Sequence, residues 1–403
     1  MKLTLNASDF TDAVTWAIQG YDSKDTQSYA ALNVDRDSGR ASLVHANQVS
    51  HIRAPIAVTE IEFAEDETES SYSIALDGAY LKTLATVVKR MKIVSLVASK
   101  KLNSKRDSLK IKGDRQNFTV PVLALEVKKD PELITIGDVN DQEFFGAVQR
   151  LAKLCTAVSA DTGSATGSVA VKLGEKRMTL MATDSFSFGE IMMKYEPNSK
   201  AVEKFKKTAS NGEIILIPRA AALTVKPSKV ATDTVNFVYD AESEKFGYSF
   251  DDGRIALFSL DQALPIPYET FKKVVIDQSV KSVDLPLTYL SHAIDSIAVL
   301  SPEETQIDIR VRGTKKGKVT VSDSNSTNVI DVEPSAIDFT GDLKLTFFRD
   351  VIKNSLIPMS SETVRLHFAN EFDGEMAAVT YIRPLDDRGN PDKSVFSISV
   401  LEV

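Results

Sequence analysis

Short apolar runs, most of them alternating or β-branched, recur along the whole chain and are separated by turn residues. Such runs indicate strands that bury one face. The clearest predicted strands are Lys2–Leu5, Ala41–Ala46, Ile93–Ala98, Ser108–Lys112, Phe118–Leu123, Met178–Ala182, Val235–Tyr239, Ile255–Ser259, Ile307–Val311, Lys318–Ser322, Val364–Phe368, Ala377–Ile382 and Val395–Leu401.

Six other segments place apolar residues three, four or seven positions apart, with polar residues opposite, which predicts short amphipathic helices. The first begins at Ser8 and Asp9, the second follows Asp77, and the third opens at Asp141. Proline is favoured in the first turn of a helix, so the fourth and fifth helices are predicted to begin around the two prolines Pro218 and Pro286. The sixth is marked by four apolar residues, Phe347, Phe348, Val351 and Ile352.

The order of these elements repeats. One strand, one short helix and about three strands form a unit that recurs six times, over Lys2–Val58, Ser71–Leu123, Ile134–Lys194, Gly212–Leu260, Val280–Val332 and Leu343–Leu401. The segments that begin at Leu43, Leu180 and Val319 occupy equivalent positions and are weakly similar. We therefore predict an α+β fold of three similar domains, each with two helices and antiparallel sheets, at residues 1–126, 133–264 and 276–403. The alternative is three unrelated α+β domains.

Composition narrows the class of protein. The 403 residues are 43% hydrophobic and 26% charged, which is typical of a soluble globular chain. No apolar run approaches the roughly 18 residues of a membrane span, and no signal-peptide core is present. Cys155 is the only cysteine, so no intramolecular disulfide forms. These features predict a cytoplasmic protein without a membrane partner. The net charge of −8 excludes a general polycation, so any DNA partner has to meet a locally basic surface.

The motifs of common enzymes are missing from the sequence. It contains neither a phosphate-binding loop ending in Lys-Ser or Lys-Thr nor a dinucleotide fingerprint. The four histidines have no spacing that suggests a metal site. Cys155 lies on the apolar face of its helix, which indicates a core residue rather than a nucleophile. We expect no catalytic residue, no metal and no cofactor.

Basic residues recur on the polar faces of the predicted helices, where lysine and arginine can meet phosphates without reading bases. The ordinary alternative is a solvated helix face. The lysines Lys200, Lys204, Lys206 and Lys207 are predicted in loops that could add phosphate contacts. The candidate DNA-lining residues are Lys24, Lys82, Lys89, Arg90, Arg150, Lys153, Arg219, Lys226, Arg349 and Lys353.

Four patches, in order and with matching spacing, resemble the β subunit of bacterial DNA polymerase III, the replicative sliding clamp. Met1-Lys-Leu-Thr resembles the opening strand, and Met181-Ala-Thr-Asp-Ser-Phe-Ser-Phe188 is similar to the family's Ala-Thr-Asp-Gly-His-Arg-Leu segment. Ile217-Pro-Arg219 resembles the Val-Pro-Arg that opens a helix of domain two. Leu264–Val275 is similar to the linker into domain three.

The resemblance implies a function. Two copies would close into a ring around duplex DNA, with helices inside and sheets outside. Such a ring has no catalytic chemistry and acts as a processivity factor, because it tethers the replicative DNA polymerase at high effective concentration. The implied partners are duplex DNA, the polymerase, a clamp loader and a second copy of the chain. The implied location is a bacterial cytoplasm or a phage-infected host cell.

The resemblance also implies two protein interfaces. The edge strand with Phe118 and Val120 would meet Val299 and Leu300 of the other copy in a homodimer. A pocket for partner peptides would be walled by Thr166, Thr183, Ser185, Phe186, Phe188, Pro265, Pro267, Lys273, Val274, Ile398, Val400 and Leu401.

This sequence departs from the family at the pocket. Ser185-Phe186-Ser187 replaces Gly-His-Arg, and the chain ends Ser399-Val-Leu-Glu-Val403 instead of Met-Pro-Met-Arg-Leu. We therefore expect a pocket in the same place with an altered peptide preference. Strand alternation predicts that Phe186 and Phe188 share one environment, either groove or core.

Two other classes of function remain open. A scaffold built from the same repeats would not close on DNA. An enzyme would need a substrate-sized site with perturbed acids, which no residue constellation indicates.

Overall fold

The computed structural model describes most of the chain. The described residues are 1–20, 29–47, 50–63, 70–77, 80, 83, 86–99, 108–113, 116–123, 131–156, 165–208, 214–224, 234–259, 272–273, 275–276, 279–313, 317–369 and 379–401.

The predicted order of one strand, one helix and three strands is present six times. The first repeat contains β1 (Lys2–Asn6), α1 (Ala7–Ala17), β2 (Tyr29–Asp35), β3 (Arg40–Ala46) and β4 (Ser50–Ile56), and β5 (Val58–Glu62) follows it. The second contains β6 (Ser71–Asp77), helical residues 86–88, β7 (Ile93–Ser99), β8 (Ser108–Gly113) and β9 (Gln116–Leu123).

The third and fourth repeats follow the same order. The third contains β10 (Leu133–Asn140), α2 (Asp141–Ala152), β11 (Ser168–Leu173), β12 (Arg177–Thr183) and β13 (Ser187–Lys194), and is followed by β14 (Glu196–Pro197) and α3 (Ser199–Thr208). The fourth contains β15 (Ile214–Pro218), α4 (Arg219–Thr224), β16 (Thr234–Asp240), β17 (Lys245–Ser249) and β18 (Ile255–Ser259).

The last two repeats complete the series. The fifth contains β19 (Ser279–Pro286), α5 (Leu287–Leu300), β20 (Gln306–Gly313), β21 (Lys318–Asp323) and β22 (Val329–Val332), with β23 (Ala336–Ile337) after it. The sixth contains β24 (Gly341–Phe348), α6 (Arg349–Leu356), β25 (Thr363–Ala369), β26 (Val379–Pro384) and β27 (Val395–Val400).

Several predicted helix boundaries are wrong by a few residues. Pro218 and Pro286 end strands instead of opening helices, and Pro286 has the extended backbone angles φ −62° and ψ 121°. Phe347 and Phe348 belong to β24, since the sixth helix begins only at Arg349. Each misplaced residue has a side chain that fits a strand as well as a helix turn, so spacing alone did not separate the two.

The segment with Lys200, Lys204, Lys206 and Lys207 is the helix α3 and not a loop, which corrects the prediction. Its apolar residues are few, but Ala201, Val202 and Phe205 share one buried face.

The chain divides into two compact parts. The first part consists of Met1–Asp141, Glu196–Ala209 and Thr224–Leu260, and the second of Gln142–Tyr195, Ser210–Leu223 and Asp261–Val403. The predicted boundaries of three domains stay a prediction beside this division.

Antiparallel sheets run through each part. Among the described residues, the first part has one sheet of fourteen strands in the order β14-β10-β16-β17-β18-β4-β3-β2-β6-β9-β8-β7-β1-β5. The second part has a sheet of nine, β15-β11-β12-β13-β27-β26-β25-β19-β23, and a sheet of four, β22-β21-β20-β24. We call the β4–β18 pairing the first junction and the β13–β27 pairing the second junction, because each joins repeats that are distant in sequence.

Aromatic residues fill the core of each part. In the first part, Phe237 stacks on Phe246 with ring centroids 5.6 Å apart, and Tyr248 packs edge-on against Phe237. In the second part, Tyr381 stacks on Phe396 at 5.4 Å. Burying a side chain of this size stabilises the fold by roughly 1.5–3 kcal/mol.

Candidate functional site

The turn between β12 and β13 is held by its own side chains. Asp184 Oδ1 accepts hydrogen bonds from the backbone N–H groups of Phe186 (3.0 Å) and Ser187 (2.6 Å). Thr183 Oγ1 accepts one from the N–H of Ser185 (3.0 Å) and donates one to the carbonyl of Ser187 (2.7 Å). An aspartate that bonds the backbone two residues on stabilises a tight turn, so this turn is pre-organised.

The same turn is attached to α6 of the last repeat. Asn354 Nδ2 donates to Asp184 Oδ2 at 3.1 Å, and Ser187 Oγ donates to the Val351 carbonyl at 3.1 Å. These bonds hold Ser185 at φ 82°, in the left-handed region that costs a residue with a side chain ~1–3 kcal/mol. Strained backbone of this kind clusters at binding and switch sites, where the surrounding structure maintains it.

The two phenylalanines of this segment have opposite environments. Phe186 is 56% exposed at the tip of the turn, whereas Phe188 in β13 is 8% exposed. The prediction of a shared environment is therefore wrong, because Phe186 lies before the first residue of β13, where alternation does not apply. An exposed aromatic ring on a rigid support is the usual form of a protein-interaction hot spot.

The second junction lies directly beside this turn. Ser187 is opposite Ser399, and Phe188 is opposite Ile398. Phe188 belongs to a buried apolar cluster with Met181, Val275, Val379, Tyr381, Phe396 and Ile398.

The last strand contributes mainly buried side chains to the core. Ile398 and Leu401 are 1% and 4% exposed, and Leu401 forms a bridge with Phe347. Val400 is the last residue of β27. Ile398 and Leu401 thus support the turn from beneath rather than present their side chains at the surface.

Gly189 allows α2 and the residues after α6 to approach β13. A Cβ atom there would lie 2.5 Å from Leu154 Cδ1, 2.7 Å from Pro358 Cγ and 3.0 Å from Leu151 Cδ2. A side chain at this position would force these three side chains to shift, so glycine permits the close packing.

A buried ion pair fixes the linker to the second junction. Glu190 is buried in β13, and its carboxylate pairs with the ammonium group of Lys272. Lys272 Nζ also lies 5.2 Å from the ring centroid of Phe396. Val275 is fully buried in the same apolar cluster, while Lys273 is exposed. Three linker positions of the predicted pocket, Pro265, Pro267 and Val274, lie outside the described residues.

Thr166 occupies a short 3-10 turn, Ala165–Gly167, that packs against β11 and β12. Its hydroxyl lies 3.1 Å from the Thr156 hydroxyl, and its carbonyl accepts the Thr156 N–H. The structure thus brings Thr183, Ser185, Phe188 and Ile398 together, and places Thr166 beside β12.

The candidate DNA-lining residues differ in how available their charges are. Lys89, Arg90 and Lys153 are exposed. Arg150 is half-buried, and desolvation lowers its pKa. The Nε group of Arg219 donates to the Ala152 carbonyl at 3.1 Å.

Two cations of the last repeat bond to residues of the fifth repeat. Lys353 Nζ lies 2.6 Å from Asp295 Oδ1 on α5, and Arg349 donates to the Glu304 carbonyl at 2.8 Å. Lys24, Lys82 and Lys226 lie outside the described residues.

The candidate dimer residues are also distinguished by exposure. Val299 and Leu300, at the end of α5, are 79% and 58% exposed. Phe118 lines a cleft of about 500 Å³ together with Thr86, Val87, Arg90, Gln116 and Asn117. Val120 is 3% exposed and faces the core of its own chain.

Two buried titratable groups are uncharged at neutral pH. Burial raises the pKa of the Cys155 thiol to about 12, so the thiol stays protonated. Burial, aided by Arg365 and Arg383, lowers the pKa of His367 to about 4, so its ring is neutral. The described residues contain no group of three or more His, Cys, Asp or Glu placed to hold a metal. None of the described helices combines the length and apolar character needed to cross a membrane.

Sequence reasoning did not find the residues that shape this site. Asp184 and Asn354 fix the turn, and Glu190 fixes the linker, yet none was predicted as a site residue. The aspartate had a local signal, since Asp followed by Ser between two strands favours a turn. The other two depend on partners 170 and 82 positions away, for which the sequence contains no local signal.

Comparison with solved structures identifies the fold. The β subunit of the DNA polymerase of Streptococcus pyogenes superposes with a TM-score of 0.75 at 12% identity, and the sliding clamp of Caulobacter crescentus with 0.74 at 17%. The Helicobacter pylori beta clamp bound to a DNA ligase peptide gives 0.71 at 13%. Each match covers 100% of this chain and 100% of the other.

No family model matches the sequence, and no curated protein matches it. The chain therefore has the fold of DNA polymerase III β subunits with a strongly diverged sequence. This confirms the predicted α+β class and the structural resemblance.

Proposed function

We propose that this chain is a DNA sliding clamp. Two copies close into a ring around duplex DNA, and the ring tethers a replicative DNA polymerase as a processivity factor in the cytoplasm. A clamp loader places the ring on DNA, and the chain itself carries out no catalysis. The observation that supports the proposal most directly is the pairing between the last strands of the repeats. Four of these strands pair with one another within the chain, and the other two present edges suited to the same pairing with a second copy.

Both junctions follow one rule. The last strand of the first repeat, β4, pairs with the last strand of the fourth, β18. The last strand of the third repeat, β13, pairs with the last strand of the sixth, β27. The rule leaves the last strands of the fifth and second repeats, β22 and β9, to pair with each other in a second copy of the chain.

The edges of these two strands agree with that inference. β22 is an edge strand of the four-stranded sheet. Among the described residues, β9 pairs with β6 only through Val122 and Leu123, so its stretch from Gln116 to Pro121 has a partner on the β8 side alone. Edge strands with unpaired N–H and C=O groups are templates for pairing with another chain.

The exposed end of α5 offers the matching apolar contact. At the first junction, Trp16 near the end of α1 is covered by Phe250 and Arg254 of the fourth repeat. Val299 and Leu300 hold the corresponding position on α5 and are largely exposed. We place them in the cleft beside Phe118 on the second copy. A two-fold axis then makes two equal contacts and closes the ring.

The basic residues supply contacts to phosphate without base recognition. Lys89 and Arg90 are exposed in the second repeat and Lys153 in the third. In the last repeat, Lys353 and Arg349 are engaged within the protein. We therefore assign most of the phosphate contact to the second and third repeats. Such contact permits sliding because it carries no sequence information.

The turn at Phe186 is the proposed site for partner peptides. The solved Helicobacter pylori beta clamp holds a DNA ligase peptide, and we propose that a polymerase segment binds here in the same role. The described features that favour binding are a rigid turn, an exposed aromatic ring and the apolar strands beneath it.

Ring closure is tested with Leu300→Asp. The variant should be a 44.1 kDa monomer by light scattering, because a buried charge at the contact is not compensated. Tyr289→Asp, on the same helix and 68% exposed, is the control and should stay dimeric. A wild-type ring should remain on nicked circular DNA and slide off after linearisation. A scaffold would show no such dependence on topology, and that result would refute the ring.

Peptide binding is tested with Phe186→Ala. Removal of a hot-spot ring weakens binding by about 2 kcal/mol, or roughly 30-fold. Calorimetry with a C-terminal peptide of the cognate polymerase should measure this loss while the dimer stays intact. Equal affinity in both proteins would contradict the assignment.

A further inference from the structure

Among the residues that the structure describes, the helix α3 has no counterpart at the same position in the other two pairs of repeats. Within the described residues, the link after the first repeat contains β5, and the link after the fifth contains β23. The link after the third repeat contains β14 and then ten residues of helix, Ser199–Thr208. The repeat architecture alone therefore does not require α3.

The helix is firmly built into the first compact part. Asn198 Oδ1 accepts the N–H of Ala201 at 3.3 Å, a side-chain cap on the first turn, and the Asn198 N–H donates to the Ile136 carbonyl at 2.7 Å. Phe205 is 2% exposed and packs edge-on against Tyr239 at 5.0 Å. The helix thus lies at the β14–β10 end of the fourteen-stranded sheet with its apolar face buried.

The opposite face of α3 is strongly basic. Lys200 and Lys204 are exposed one turn apart, with Glu203 between them, and Lys207 follows one turn later. The helix has four lysines and one glutamate, in a protein with 48 basic and 56 acidic residues overall. A lysine stripe on an acidic protein forms a local electrostatic site.

The composition of this face favours a phosphate chain over a protein partner. Protein interfaces are enriched in aromatic residues, methionine and arginine, and depleted in lysine, glutamate and serine. The exposed residues of α3 are of the depleted types, and its apolar side chains are buried in the chain's own core. Lysine meets phosphate as a point charge, which requires no fixed geometry of the backbone.

We propose that α3 is an accessory binding site for the sugar–phosphate backbone of DNA, independent of the base sequence. The site acts by direct contact and does not require ring closure, so it extends the proposed function without depending on it. Its role is to hold a DNA segment against the first compact part by charge attraction, in addition to the topological hold of the ring.

The experiment uses the full-length protein and a short, linear, fluorescein-labelled duplex, measured by anisotropy from low to moderate salt. The variant carries Lys200→Gln, Lys204→Gln and Lys207→Gln. The control carries Lys110→Gln, Lys176→Gln and Lys393→Gln, three exposed lysines elsewhere, and has the same net charge. Circular dichroism and thermal unfolding check that both are folded.

The slope of log K against log salt should become shallower by about 0.9 for each phosphate that the protein no longer neutralises, hence by about 2.7 in the α3 variant. The control should keep the wild-type slope. Equal slopes in all three proteins, or equal reductions in variant and control, would overturn the site. A labelled oligoglutamate peptide provides the remaining arm. If the peptide no longer binds the α3 variant while the duplex still does, the site takes an acidic protein segment, and the DNA assignment is wrong.

Retention on nicked circular DNA separates this inference from the ring. Removal of the α3 lysines leaves a topologically closed ring on the circle, whereas failure of the ring removes retention without changing binding of the linear duplex.

Discussion

The first and second junctions use the same backbone plan with different side chains. In the first, β4 and β18 pair over four residues, and Arg254 is placed over both Trp16 (4.5 Å) and Phe250 (4.6 Å). In the second, β13 and β27 pair over five residues, and a buried carboxylate from Glu190 meets Lys272. Aromatic side chains and an arginine therefore pack at the first junction, whereas a lysine of the linker pairs with the second.

The residues three positions before β4 and β13, Asn47 and Asp184, also differ. Asn47 precedes β4 and is 7% exposed, and Lys245 Nζ donates to its carbonyl at 3.2 Å. Asp184 occupies the equivalent position before β13 and holds Phe186 out in solvent. The comparison teaches that one position of the repeat plan can be buried in one repeat and can order an exposed turn in another.

Removing the central ring of the second junction should have the largest effect. Phe396 is fully buried and packs on both Tyr381 and Phe188. Phe396→Ala should lower the free energy of unfolding by about 3–5 kcal/mol, because it leaves a cavity among rigid neighbours. Urea denaturation measures the change. Phe348→Ala, at a ring that is 38% exposed, is the control and should cost much less. Equal effects would contradict the packing described.

Breaking the buried ion pair should have the next largest effect. Lys272→Met leaves the Glu190 carboxylate buried without its partner, at a cost of about 3 kcal/mol. Adding Glu190→Gln to the same chain removes the charge and should restore most of the stability. Thermal unfolding of the single and double variants compares them. If the double variant is no more stable than the single one, the pair does not fix the linker.

Acid should weaken the second part through His367. Its pKa is about 4 in the folded protein and near 6.5 when unfolded, so the unfolded chain binds more protons below pH 6.5. Stability is then fully present above pH 6.5 and falls by up to about 1.4 kcal/mol per pH unit as the pH drops toward 4. The variant His367→Gln should lack this contribution to the pH dependence of the unfolding free energy. Denaturant titrations at several pH values measure that dependence. An unchanged slope would place the acid sensitivity elsewhere.

Relief of strain in the turn should have the smallest effect. Ser185→Gly should stabilise the protein by about 1 kcal/mol, because glycine adopts φ 82° without a steric cost. Gly389→Ala is the matched control with the opposite sign, since Gly389 has φ 77° and open space around its Cα. Calorimetric midpoints measure both changes. A loss of stability in Ser185→Gly would mean that its side chain, and not the turn geometry, holds the segment.

The order of elements could be predicted from sequence because strands and short helices carry local signals. Alternation in segments such as Met178–Ala182 indicated a strand without any tertiary information. The predicted starts of helices were less accurate, since Pro218 and Pro286 suit the end of a strand as well as the start of a helix. The helix α3 was missed because three apolar residues among four lysines resemble a solvated loop.

The junctions and the exposure of Phe186 could not be predicted in the same way. The Ser397 hydroxyl donates to the Phe188 carbonyl across 209 positions of sequence, and no periodicity within either strand indicates that pairing. Phe186 is exposed because it belongs to the turn held by Asp184, and β13 begins only at Ser187. The turn is also bonded to α6, and those contacts join residues more than 160 positions apart.

Trp16 is the only tryptophan in the chain, and Cys155 is the only cysteine. The indole is covered by Arg254 at the first junction, while the thiol is buried next to Leu154, whose side chain lies against β13 at the second. Selectively excited tryptophan emission thus reports on the first junction, and the rate of thiol labelling reports on the second. The native sequence thus contains two separate probes of local opening, one optical and one chemical. No engineered probe is needed to learn which junction opens first.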